Sequence, residues 1–269
     1  TVEMASQSNR KGKRGNKGRG SKRNGRNNKN HHGDHRETKD QKKYTKIVEN
    51  FRNEQQSNGY CTTYKEHKKS CRGVDWEANE IIPDFLWLGS IKSAKNVSQL
   101  YKLEIKYILN CADNHSIKGY AGSDFNLLCL NAKDKEGYHI LDYHLSDAIK
   151  FINQARENEA KILVHCIGGV NRSAAIVVGY LLHLQQDEPS LIDATKMVLE
   201  KRPFALTNKS FQRQLLHYER FLHKEVSKKF KQKTRKERNK HQTVKIKSDR
   251  RNKRKGNNYS QYQYNQDND

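Results

Sequence analysis

His165 and Cys166, then five residues, then Arg172 and Ser173, stand in the run Lys-Ile-Leu-Val-His-Cys-Ile-Gly-Gly-Val-Asn-Arg-Ser-Ala-Ala. That spacing puts a thiol, a guanidinium and several backbone N–H groups around one small space. The apolar run 161–164 reads as a buried strand and 174–184 as a buried helix, so the loop between them sits where a helix begins. The start of a helix favours anions, because its first N–H groups lack partners and its dipole is positive there. Gly168 and Gly169 let the backbone curl until successive N–H groups point inward, which suits phosphate oxygens. Ile167, Gly168, Gly169, Val170 and Asn171 would line that nest, and Arg172 would add a bidentate pair of charge-assisted bonds. A cysteine in such surroundings drops from a pKa of about 8.5 to roughly 3.5–7.5. The chemistry implied is attack of the Cys166 thiolate on phosphorus.

The elements that must hold this loop read as strands at 85–88, 105–110, 125–130 and 162–165, with helical patterns at 96–103 and 145–155. Such alternation predicts an α/β fold, a central sheet flanked by helices on both sides. Three helical segments follow the loop. Ser190 with Asp193 predicts a capped start for the second of them, which ends near Lys201 before Pro203. The third places Phe211, Leu215, Tyr218 and Leu222 on one face, as core rather than site.

The 269 residues carry a net charge of +23, unevenly spread. Residues 1–45 hold 14 Lys or Arg against 4 Asp or Glu, and residues 224–269 hold 16 against 5, which leaves only +2 for the middle. The expected organisation is therefore a basic, low-complexity and disordered segment at 1–58, a lead-in at 59–77, one catalytic domain at 78–223, and a basic, then Tyr/Asn/Gln-rich disordered tail at 224–269. The start of the tail can extend the last helix. The basic clusters fit RNA or another polyanion, a nuclear import receptor, or simple solubilising charge. No eighteen-residue apolar window and no apolar stretch after the basic start is present, which predicts an intracellular protein, in cytoplasm or nucleus, without a membrane span or secretory signal. The sequence starts at Thr1, so a preceding segment stays open.

Five cysteines (Cys61, Cys71, Cys111, Cys129, Cys166) form neither a disulfide framework nor a paired metal spacing, so no metal site and a reduced compartment are expected. Cys61 and Cys71 flank His67 without a matching second pair and read as unpaired thiols.

His165, Cys166, Gly169, Arg172 and Ser173 occupy every fixed position of the cysteine-dependent protein tyrosine phosphatase signature. The stretches 177–182, 82–90 and 202–215 resemble the small, atypical dual-specificity branch, so the likeness spans 78–223. It implies a mixed, mostly parallel sheet and a phosphocysteine mechanism without cofactor or metal, acting on phosphoprotein substrates. In that mechanism Cys166 is the nucleophile, Arg172 the phosphate clamp and Ser173 the hydroxyl that eases departure of the thiolate. The proton for the leaving oxygen is assigned to Asp134, which lies between a strand and a helix 32 residues before Cys166; Glu136 and Asp142 are the alternatives nearby. His165 either holds the loop or is a satisfied core histidine. Cys111, ending a strand, is either a redox partner for Cys166 or a small core residue. Gly168 and Asn171 depart from the Ala and Ser frequent in that branch. Asn before the arginine also occurs in RNA 5′-phosphatases of the superfamily, which keeps RNA open as a substrate. Phosphoinositide hydrolysis finds no lysine within the loop, and a non-catalytic phosphate-binding scaffold would have no use for so complete a set.

Overall fold

The computed structural model describes residues 37–70, 78–113, 124–185 and 187–266. The apolar runs become strands: β1 (Asn79–Ile82), β2 (Leu86–Gly89), β3 (Ile105–Asn110), β4 (Asn126–Cys129) and β5 (Lys161–His165). They form one sheet in the order β1-β2-β5-β3-β4, parallel except for β1, which closes an edge antiparallel to β2. β1 was not foreseen: its four residues, Asn-Glu-Ile-Ile, are too short for a clear alternation. It joins β2 through a turn at Pro83 and Asp84, where Asp84 takes a positive φ of 55° and its N–H donates to Glu80 Oε1 at 2.8 Å.

Alternating side chains serve two cores. Ile162 and Val164 of β5, with Leu86, Leu88 and Leu109, face the larger one, while Leu163, Ile105 and Ile108 face a smaller one. Ala94 and Leu100, from α3 (Ile91–Lys95) and α4 (Val97–Lys102), complete the smaller core. The 96–103 pattern thus corresponds to α4 alone, and Asn96 separates the two helices by accepting from Gln99 N. On the opposite face lie α5 (Ile140–Glu157), α6 (Arg172–Leu184), α7 (Leu191–Lys201) and the start of α8 (Lys209–Gln266). α6 is apolar all round and buried from Arg172 to Leu182, as a central helix must be. α5 approaches it so closely that a Cβ on Gly179 would lie 2.8 Å from Leu145 Cδ1.

The leading segment needs correction. Residues 39–57, assigned to the disordered stretch 1–58, form α1 (Lys39–Ser57), with Tyr44 and Val48 in the larger core. Thr38 caps it by accepting from Gln41 N at 3.2 Å. The helix is tied down by Tyr44 Oη to Thr195 Oγ1 (2.6 Å), Thr45 Oγ1 to Gln212 Oε1 (3.1 Å) and Arg213 Nε to Gln41 Oε1 (3.1 Å). Residues 1–36 and Cys71 lie outside the described residues. At the other end, α8 (Lys209–Gln266) extends the last helix into the basic segment, as the start of the tail was expected to do. Lys, Arg, Gln and Glu are good helix formers, and pairs such as Lys228–Glu225 (2.6 Å) add local support. No helix among the described residues is long and apolar enough to cross a membrane.

Candidate active site

β5 lies between β2 and β3, and its last residue, His165, is in register with Gly89 and Asn110. The chain therefore leaves the sheet at the carboxyl ends of parallel strands, the edge where α/β sheets bind ligands. Neighbouring strand ends take up the loop: Cys111 N donates to His165 O at 2.7 Å and Ile91 N to Ile167 O at 3.2 Å. Gly169 sits at φ +65°, and a Cβ there would meet Gly89 O and Arg202 Nη2, each at 2.5 Å, so only glycine fits. Asn171 occupies the N-cap of α6 but makes no side-chain cap bond to the helix.

Cys166 Sγ lies within the turn, 1% exposed. Gly169 N donates to it at 3.2 Å and Ser173 Oγ at 3.3 Å. Burial, the strongest single influence, pushes the thiol up. The Ser173 hydroxyl and amide, the Arg172 charge and the Gly169 amide together outweigh it and hold Cys166 below the ordinary cysteine value. The buried Arg172 guanidinium donates to Ala132 O at 3.2 Å, and its Nε lies 3.9 Å from Asp134 Oδ2.

Of the three acidic candidates, the structure brings only Asp134 to this loop. Its Oδ2 accepts from Asn171 Nδ2 at 3.4 Å and its Oδ1 from Asn208 Nδ2 at 3.2 Å. Glu136 pairs with Arg213 at 3.7 Å, and Asp142 is an exposed first-turn residue of α5 bound to His139 at 3.0 Å. The side chain of Asn171, grouped with the phosphate ligands from its position, is turned away from the nest. Its Oδ1 accepts from Thr207 N (2.8 Å), Thr207 Oγ1 (3.0 Å) and Asn208 N (3.0 Å).

His165 is fully buried and its Nδ1 lies 3.3 Å from Cys166 O; burial lowers its pKa to about 4, which favours a neutral imidazole. Cys111 is also fully buried, and burial together with the neighbouring Cys166 pushes its thiol well above the ordinary value.

A residue that sequence reasoning placed only within a family-like stretch supports the whole loop. Arg202 is fully buried and donates from Nε to Gly169 O (2.7 Å), from Nη2 to Gly168 O (3.1 Å) and from Nη1 to Asn79 Oδ1 (2.8 Å). Its guanidinium lies 4.6 Å from the Phe204 ring centroid, and His67, on the short helix α2 (Tyr64–Ser70), stacks on that ring at 4.1 Å. Behind it, Leu206 N donates to Val170 O at 2.7 Å, and Arg52 of α1 donates to Pro203 O (3.1 Å) and to Ala205 O. The available signal was weak: Arg202 opens the run Arg-Pro-Phe-Ala-Leu directly after Glu200 and Lys201, and an arginine is fully buried only when it is paired.

A nucleophilic sulfur stabilised as thiolate, a helix start, a clamping guanidinium and a carboxyl group beside it can transfer a phosphoryl group through the sulfur. The model of the family described as "Dual specificity phosphatase, catalytic domain" matches residues 86–221. This chain belongs to that family. Among similar dual specificity phosphatases is Mpk3 of Drosophila melanogaster, 36% identical over 52% of this chain and 33% of its own length. Dual specificity protein phosphatase 19 of Mus musculus is 33% identical over 52% of this chain and 61% of its own. The chain thus spans a third to three fifths of the length of these two relatives. A solved variant of human DUSP28 superposes with a TM-score of 0.50 at 28% identity, covering 55% of this chain and 97% of that one. The dual specificity match excludes α1 and β1, both of which this chain packs against the matched part.

Proposed function

We propose that the protein is a dual-specificity protein phosphatase that hydrolyses phosphotyrosine and phosphoserine or phosphothreonine through a phosphocysteine intermediate. The loop N–H groups and Arg172 bind the phosphate oxygens. The Cys166 thiolate forms the S–P bond as the P–O bond to the leaving group breaks, and Asp134 gives its proton to the departing oxygen. The resulting carboxylate then takes a proton from water, which attacks phosphorus and expels the thiolate that the Ser173 hydroxyl stabilises. The observation carrying this reading is the ring of Gly169 N–H, Ser173 hydroxyl and Arg172 charge that favours thiolate at Cys166, with Asp134 held over the same loop. The chemistry needs a reduced thiol, which supports an intracellular location.

The test is a side-by-side assay of a phosphotyrosine peptide, a phosphothreonine peptide and 5′-triphosphorylated RNA, with wild type and Cys166→Ser. Turnover of both peptides, abolished in the variant, is the expected result. Turnover of RNA alone would replace this reading with an RNA phosphatase, and no turnover of any substrate would end the enzymatic one.

A further inference from the structure

Asn171 stands where the dual-specificity branch often has Ser, and its side chain makes a link that a serine cannot. Three donors, from Thr207 N, Thr207 Oγ1 and Asn208 N, converge on Asn171 Oδ1 at 2.8–3.0 Å. Three donors facing one atom settle the orientation of the carboxamide, so the other end must be the NH2 group. That group faces Asp134 Oδ2 at 3.4 Å. The second carboxyl oxygen of Asp134 is met by Asn208 Nδ2 at 3.2 Å, and Asn208 is itself positioned by its N–H bond to Asn171. One side chain therefore ties together the loop that carries the nucleophile, the 207–208 segment and the loop that carries the carboxyl group.

We infer that Asn171 is a positioning residue for Asp134, holding its carboxyl over the phosphate loop in the geometry needed to protonate the leaving oxygen. The inference rests on the phosphatase reading above. A carboxyl group clamped at both oxygens keeps one bond while the other oxygen carries the proton, so its orientation survives either protonation state. Serine's hydroxyl can both donate and accept, but its single oxygen on a one-carbon stem cannot stand at both the Oδ1 position that meets Thr207 and the Nδ2 position that meets Asp134. The same link explains why Asn171 leaves the N-cap bond of α6 unmade: its carboxamide is committed elsewhere.

The experiment compares two aryl phosphates on the full chain. p-Nitrophenyl phosphate has a leaving group that departs as an anion with little help, whereas phenyl phosphate needs the proton. In Asn171→Ser, kcat for phenyl phosphate is expected to fall about tenfold further than kcat for p-nitrophenyl phosphate, a loss of roughly one hydrogen bond in the transition state. KM should change by the same factor for both. In an Asp134→Asn background the extra loss should vanish, since there is no proton left to position. Equal losses on the two substrates, or the same extra loss without the carboxyl group, would overturn the inference. Should Asn171→Ser not fold, Thr207→Val carries the test, with a shifted ratio supporting and an unchanged ratio refuting it. A wild type that hydrolyses neither ester would overturn the phosphatase reading itself, and the inference with it.

Discussion

Replacing Arg202 by Met should weaken the catalytic loop from behind while leaving every group that faces substrate in place. Methionine fills much of the same volume, so the change removes chiefly the three hydrogen bonds to Gly168 O, Gly169 O and Asn79 Oδ1, together with the charge over the Phe204 ring. Bonds from a charged donor contribute about 1.5–3 kcal/mol each, and removing a buried cation relieves a desolvation cost of several kcal/mol. The net loss of stability is therefore expected at about 2–4 kcal/mol, or a Tm lower by roughly 5–15 °C for a chain of this size. The effect on rate follows from backbone freedom. Fixing one residue costs about 1–2 kcal/mol, so freeing Gly168 and Gly169 should cost about 2–4 kcal/mol of preorganisation, a fall in kcat of some 30- to 1000-fold. Thermal melts with and without orthovanadate, alongside kcat for p-nitrophenyl phosphate, measure both. The melting point should fall and vanadate should restore less of it than in wild type. An Arg202→Met protein with wild-type kcat and vanadate stabilisation would refute the idea that these bonds shape the loop.

Ser173→Ala removes the strongest of the influences that lower the Cys166 pKa, so iodoacetate labelling of that thiol should begin at higher pH, and kcat should fall about 10- to 100-fold; unchanged labelling would count against the hydroxyl's role. His165, held neutral at a folded pKa of about 4 against 6.5 when unfolded, makes the unfolded chain take up a proton that the folded chain refuses. Stability should be full above pH 6.5 and fall as pH drops toward 4, by on the order of 3 kcal/mol, and a chemical-denaturation series on His165→Gln should lose part of that slope. Arg52→Ala, which frees the carbonyls of Pro203 and Ala205, should cost about 1–3 kcal/mol in a thermal melt and lower kcat as well, although α1 lies outside the family-matched stretch. If Cys111 protects the nucleophile as a disulfide, mass spectrometry after peroxide should find Cys166 overoxidised faster in Cys111→Ser than in wild type; equal rates would leave Cys111 as a core residue.

How far the sequence could be read depended on how strongly each segment's pattern stood out. The 161–184 region was legible because an apolar run, a glycine pair and a second apolar run leave one arrangement open, and β5, the loop and α6 follow it. Asp134's place beside the loop was suggested only by resemblance: nothing in its local pattern distinguishes it from Glu136, and the contacts that hold it there come from Asn171 and Asn208, 37 and 74 residues away. α1 was missed because Tyr44, Val48 and Phe51 make a thin stripe in a strongly basic stretch, although their spacing and the Thr38–Gln41 cap are helix signals. Arg202 stayed hidden because its partners, Asn79 and the carbonyls of Gly168 and Gly169, become neighbours only in the folded chain.

The hairpin and first helix also set where this protein can be cut. A fragment trimmed to 86–221 would discard Asn79, and with it one anchor of Arg202, and would strip the cover from Thr195 and Gln212. Anyone wishing to express, crystallise or graft the catalytic portion should begin it no later than Glu37, because the smallest piece expected to behave as a whole is longer at its front than the shared homology outlines.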